Sequence, residues 1–257
     1  MPMKLFLLCL TMTTVASARA QYTGLRFQSS ETQTSLLELY TSEGCSSCPP
    51  AENWLSKLKR SPRLWKDFAP LALHVDYWDY LGWRDPWSAK QFSDRQRTYA
   101  LQWSTDNIYT PGFVLDGQEW HNWSGRSDGP SANRKSTGVL TVNSTDTNHW
   151  AVTFAPTKAA NGPYTIHAAL LASGLISNVK AGENRGRRLE HDFVVLSLSQ
   201  GALTYEAGIA QGNFIFAKRP GDASSQLALT AWVTLAGQLE PIQATGGWLE
   251  AKNAASN

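Results

Sequence analysis

No run of 18 apolar residues occurs in the chain, so no membrane-spanning helix is expected beyond its N-terminus. A surplus of one charge is also missing. Lys and Arg number 23 against 21 Asp and Glu, and taking away the first twenty residues removes Lys4 and Arg19 and no acid, leaving 21 against 21. A chain so balanced gives no electrostatic case for nucleic acid or for a membrane surface as a partner. Cysteine is scarce, with Cys9, Cys45 and Cys48 the three present. Beyond residue 20 there are two cysteines and scattered histidines, too few for the four ligands of an ordinary structural zinc site. No internal repeat and no long low-complexity tract is found, which removes repeat architectures from consideration.

The first twenty residues read as an export signal. Lys4 supplies positive charge, residues 5–10 are a short apolar run, and Ala18-Arg19-Ala20 puts small residues at both recognition positions of a signal peptidase. Cleavage near Ala20 removes Cys9 and predicts a secreted or periplasmic protein, in a compartment where disulfides persist. The 257 residues are comfortable for two domains, and 42% hydrophobic residues with 11 Trp are enough to build a core.

Residues 21–34 are polar and read as a tail. Residues 36–40 form a short apolar run with Glu38 inside it, a buried strand. After Pro50 the apolar residues Ala51, Trp54, Leu55 and Leu58 fall at helical spacing. Residues 68–75 predict a second strand, 88–103 a second helix and 109–115 a third strand, with Asp116-Gly117 as a hairpin turn before 118–123. The order β-α-β-α-β-β is that of an α/β thioredoxin-like domain over residues 35–125, lacking its closing helix. Residues 126–137 read as a linker. From Gly138 short strands separated by turn residues predict a mostly antiparallel, β-sandwich-like domain over 138–250.

The chemistry centres on Gly44-Cys45-Ser46-Ser47-Cys48-Pro49-Pro50, between a predicted strand and a predicted helix. Two sulfurs at this spacing are within disulfide reach. A cysteine at a helix N-terminus faces unpaired N–H groups and the positive end of the helix dipole, which favour thiolate. Cys45, at the outer end of the turn, is expected to attack, and Cys48, in the first turn, to resolve. No cofactor is needed beyond the Cys45–Cys48 disulfide, and the expected partner is a protein thiol or disulfide. The competing readings are a structural disulfide, which so short a loop hardly rewards, and a copper site from both thiolates and a histidine. Thr110-Pro111 opens the third strand. A proline there needs a reason: it is an ordinary trans proline at a strand entrance, or, as the resemblance of this element order to thioredoxin-like proteins implies, a cis-proline that faces the cysteines and leaves the backbone of Thr110 for a bound peptide.

Residues 37–50 (LELYTSEGCSSCPP), 74–83 (HVDYWDYLGW) and 109–117 (YTPGFVLDG) together resemble the secreted family called domain of unknown function 1223. Residues 182–187 (GENRGR) and 191–195 (HDFVV) resemble it as well. The resemblance implies a thioredoxin-like fold and brings no substrate. His74, Asp76 and Asp79 are candidates to relay a proton or tune the thiol, or else a core histidine and capping acids. Trp78, with Tyr77, Tyr80, Trp83 and Trp87, walls a substrate groove or belongs to the core. Glu38 is a candidate buried acid serving the resolving cysteine, or a residue on the polar side of its sheet. The predicted function is thiol–disulfide exchange outside the cytoplasm. The alternative is a binding protein, for copper or a protein partner, with a non-catalytic disulfide.

Overall fold

The computed structural model of the protein describes residues 24–160, 162–216 and 225–249. The export signal and its cleavage site near Ala20 lie outside the described residues. In chain order the elements are β1 (Arg26–Gln28), β2 (Ser35–Thr41), α1 (Pro49–Lys57), β3 (Phe68–His74), α2 (Lys90–Gln102), β4 (Gly112–Leu115), β5 (Gln118–Glu119), β6 (Gly138–Ser144), β7 (His149–Pro156), β8 (Tyr164–Ser173), β9 (Leu175–Asn178), β10 (Arg188–His191), β11 (Val194–Glu206), β12 (Ile209–Ile215), β13 (Gln226–Leu235) and β14 (Gln243–Trp248).

Strands β2 and β3 are buried at every position, the mark of strands covered on both faces. They pair in parallel from Ser35↔Phe68 to Thr41↔His74, so both deliver their C-terminal ends to one edge. A parallel pair needs a crossover, and α1 supplies it. Pro49 and Pro50 open α1, where a missing N–H costs nothing, and Ala51, Trp54 and Leu55 turn inward. Strand β4 runs antiparallel on the other side of β2, Leu39 opposite Phe113. Helix α2 buries Phe92 and Tyr99 in the same core.

The second half does not stand apart. Its thirteen-residue strand β11 pairs along β8 and, at its end, with β12. At its start Val194 pairs in parallel with Ala72 of β3. Strands β13 and β14 extend the sheet from β8. A second core gathers Leu140, Val142, Trp150 and Phe154 of β6 and β7 with Ile166 of β8 and Val233 of β13.

The expected α/β thioredoxin-like domain followed by a separate sandwich is therefore corrected. The described chain is mostly β, with two α-helices, and twelve of its strands form one mixed sheet running through both halves. The edge of β3 that a lone N-terminal domain would leave open is taken by β11, as edge strands require. Nor are residues 24–34 a free tail: β1 pairs with β6, and the Thr34 backbone N–H donates to Gln243 Oε1 at 2.8 Å while Gln243 Nε2 donates to the Gly138 carbonyl at 2.7 Å. Residues 126–137 carry no helix, and one isolated bridge ties Ser136 to Thr32.

On β8, His167 stacks on Trp232 with centroids 5.3 Å apart, and its Nε2 meets Thr234 Oγ1 at 3.0 Å. Burial, reinforced by the Arg95 charge and opposed by Glu38, lowers its pKa to about 4. The unfolded chain therefore takes up a proton below about 6.5 that the folded chain refuses. Stability is expected to fall by about 2 kcal/mol between pH 7 and pH 4.5 from this group. Urea unfolding of His167→Gln at both pH values checks this, since the variant should lose that part of the slope.

Candidate functional site

The C-terminal ends of β2 and β3, where Thr41 lies opposite His74, are where a parallel sheet ordinarily gathers its functional groups. Cys45 and Cys48 are joined there as a disulfide, Cα to Cα 5.5 Å, at the start of α1. The Thr110–Pro111 bond is cis rather than trans. Thr110 sits against the cysteine turn, its carbonyl 3.6 Å from Cys45 Sγ. Trp78 Nε1 donates to Thr110 Oγ1 at 2.7 Å. The turn passes so close to Trp78 that a Cβ on Gly44 would stand 2.9 Å from the tryptophan Cβ, and glycine is what that approach allows.

The order along the turn predicts a more exposed Cys45, and the structure corrects this, since both cysteines are buried. Cys45 is 1% exposed and Cys48 0%, and Ser46 and Ser47 are the exposed residues of the loop. Ser47 Oγ lies 3.3 Å from Cys45 Sγ, and the Ser46 backbone N–H donates to Glu183 at 2.9 Å.

Beneath the turn lies a buried cluster of charged groups. His191, at the end of β10, places Nδ1 2.5 Å from Glu52 Oε2 and Nε2 3.0 Å from Glu43 Oε1. Burial alone would lower the pKa of His191, but its hydrogen bonds and charge interactions with Glu43 and Glu52 raise it to about 10. Burial likewise opposes the charge of Glu52, and the hydrogen bonds from His191 and Thr41 together with nearby positive charge hold its pKa below the usual value. His74 Nδ1 meets Asp85 Oδ2 at 2.7 Å. Asp85 also accepts the Glu43 N–H at 2.9 Å, and despite burial its pKa is lowered by His74. Trp83 Nε1 donates to Glu43 Oε2 at 2.5 Å, and the Trp87 ring packs on both imidazoles.

The later half of the chain closes this cluster. Asn184 Nδ2 donates to the carbonyls of Glu43 and Cys45, both at 2.8 Å, and Arg187 fixes the amide by donating to Asn184 Oδ1 at 2.7 Å. The loop of residues 182–187 thus clasps the cysteine loop through the Asn184 amide.

A family profile, protein of unknown function DUF1223, matches residues 36–234. The chain belongs to this family. No curated protein matches this DUF1223 chain. Two solved structures are similar to it. One is the protein AGR_C_4864 from Agrobacterium tumefaciens, 20% identical, with a TM-score of 0.60 over 89% of this chain and 99% of that one. The other is HBP35 of Porphyromonas gingivalis, 17% identical, with a TM-score of 0.56 over 89% and 79%. At these identities the likeness is one of fold.

Of the sequence-predicted residues, the structure gathers Cys45, Cys48, Thr110, Pro111 and Trp78 at the turn and His74 in the cluster below it. It separates the rest. Glu38 is buried but its carboxylate is held by Arg95, at 2.7 and 3.0 Å, and by the Tyr99 and Tyr40 hydroxyls at 2.6 and 3.1 Å. Asp76 is tied to Ser93. Asp79 accepts the Asp85 N–H at 3.2 Å and the Ser88 hydroxyl at 3.0 Å. Glu43, Asn184 and His191 lie in the segments 37–50, 182–187 and 191–195 that carry the family resemblance but receive no role of their own from the sequence, and Glu52 and Asp85 receive none either. Glu52 carried a signal, since it follows Cys48 by four residues on the buried stripe of α1 that includes Leu55.

Asn184→Ala removes three hydrogen bonds from a fully buried amide, those to the Glu43 and Cys45 carbonyls and the one from Arg187. The expected cost is about 1–3 kcal/mol of unfolding free energy, read from urea denaturation of the oxidised protein.

Proposed function

We propose that the protein is an extracytoplasmic thiol–disulfide oxidoreductase acting on protein thiols or disulfides through Cys45 and Cys48. The observation that carries this reading is the disulfide at the start of α1, in a loop whose middle residues are exposed. Closing so short a loop gains little chain entropy, so a stapling role explains it poorly. The helix N-terminus beside the sulfurs favours thiolate when the bond is reduced.

In the oxidising direction a substrate thiolate attacks Cys45 Sγ. The Cys45–Cys48 bond breaks and Cys48 leaves as thiolate. A second substrate thiolate then attacks the substrate sulfur of the mixed disulfide, forming the substrate disulfide and releasing Cys45. Two electrons pass from substrate to protein. The reverse sequence reduces a substrate disulfide, with Cys45 attacking and Cys48 resolving. The carbonyl of Thr110 at Cys45 Sγ supports an arriving extended peptide beside this sulfur. Among the described residues no helix is long and apolar enough to cross a membrane. Export rests on the N-terminal signal.

A second reading is favoured by the burial of both sulfurs: a binding protein, for copper or a protein partner, with a non-catalytic disulfide. One experiment separates the two. Cys48→Ser, expressed with its own export signal, is expected to accumulate mixed disulfides through Cys45, visible as thiol-sensitive adducts on non-reducing gels. Cys45→Ser is expected to give none. Absence of adducts in Cys48→Ser would favour the binding reading.

A further inference from the structure

The buried cluster holds more than charge pairing requires. His74 and His191 each spend one ring nitrogen on a carboxylate, His74 Nδ1 on Asp85 at 2.7 Å and His191 Nε2 on Glu43 at 3.0 Å. His191 Nδ1 turns to Glu52 Oε2. The remaining nitrogen, His74 Nε2, is buried without a hydrogen-bond partner, on a residue 1% exposed. A buried polar atom left in this state is rare and calls for an explanation. The imidazoles lie 5.2 Å apart, centroid to centroid, at 75°. One donor atom from each of Glu52, His74 and His191 lies within 4.8 Å of the other two.

We propose that Glu52, His74 and His191 form a binding site for one divalent transition-metal ion, of the zinc class, beneath the disulfide turn. Two imidazoles and one carboxylate are a donor set such ions take readily. The second layer is the stronger argument. A histidine that ligates a metal ordinarily gives its other ring nitrogen to a carboxylate, which fixes its tautomer and raises its basicity. Here both histidines have that carboxylate. The supports are themselves fixed: Asp85 by the N–H groups of Glu43 and Trp87, Glu43 by Trp83, and the other oxygen of Glu52 by Thr41 Oγ1 at 2.5 Å. That leaves Glu52 Oε2 to the ion.

Bonds of about 2.0–2.2 Å to nitrogen and oxygen require the ion to part the His191–Glu52 contact, to displace to solvent the proton held between His191 Nδ1 and Glu52 Oε2, and to draw in His74. Glu52 also borders a cavity of about 240 Å³ with Arg187, Arg188 and Glu190 along its wall. The site uses neither cysteine, so it is separate from copper held by thiolates and is available while the disulfide is intact.

The test uses the full exported chain, oxidised, stripped with chelator and titrated with Zn²⁺ by calorimetry. One ion per chain is expected, and His74→Ala is expected to weaken binding about 100-fold or more. X-ray absorption of the zinc-loaded wild type gives a measurement independent of the variant's folding. It should report imidazole nitrogen and carboxylate oxygen at about 2.0–2.2 Å. Uptake below one ion per chain, unchanged affinity in a folded His74→Ala, or thiolate sulfur at about 2.3 Å would overturn the proposal.

Discussion

Burying a carboxylate is costly unless a partner of opposite charge or several hydrogen-bond donors go with it. Beneath the cysteine turn the chain buries Glu43, Glu52 and Asp85 together, and the architecture follows from how they are satisfied. Glu43 and Glu52 lie on either side of the disulfide, and the group that bridges them is His191, from the other half of the chain. The pair of acids has its cation when β10 is in place. The loop before β10 then brings Asn184 onto the carbonyls of Glu43 and Cys45.

The same constraint ties sheet to site. His191 ends β10, and three residues later Val194 begins β11, pairing in parallel with Ala72 of β3. His74, two residues beyond Ala72 on β3, carries the second imidazole of the cluster. One short stretch thus closes the edge of β3 and delivers the histidine that neutralises the acids. A second buried charge, Glu38, is handled in the same way by Arg95 and two tyrosines on the other side of β2.

Much of this was legible where the signal is local. The apolar runs at 36–40 and 68–75 match β2 and β3 to within a residue, and the spacing over 88–103 matches α2 closely. The two cysteines are bonded and Thr110–Pro111 is cis. Partnership at long range was not legible. The pattern of residues 193–198 marks a strand but carries nothing to say that Val194 pairs with Ala72, so one continuous sheet was read as two domains. Residues 24–34 look polar because Gln33 and Thr34 meet the rest of the chain by hydrogen bonds, with Pro241 and Gln243 among their partners, rather than by apolar contact. Glu38 reads as an acid close to the cysteines along the chain. Arg95, which claims it, comes from a helix whose packing the sequence does not specify.

If the buried cluster makes the two halves one unit, their local openings must share one free energy. Native-state amide hydrogen exchange on the intact oxidised protein measures this directly. The account predicts that the slowest amides of β2 and β3 and those of β10 and the start of β11 exchange with the same opening free energy. That value should fall in parallel as urea is raised. Exchange of β10 and β11 at a clearly lower free energy, with β2 and β3 still protected, would contradict it.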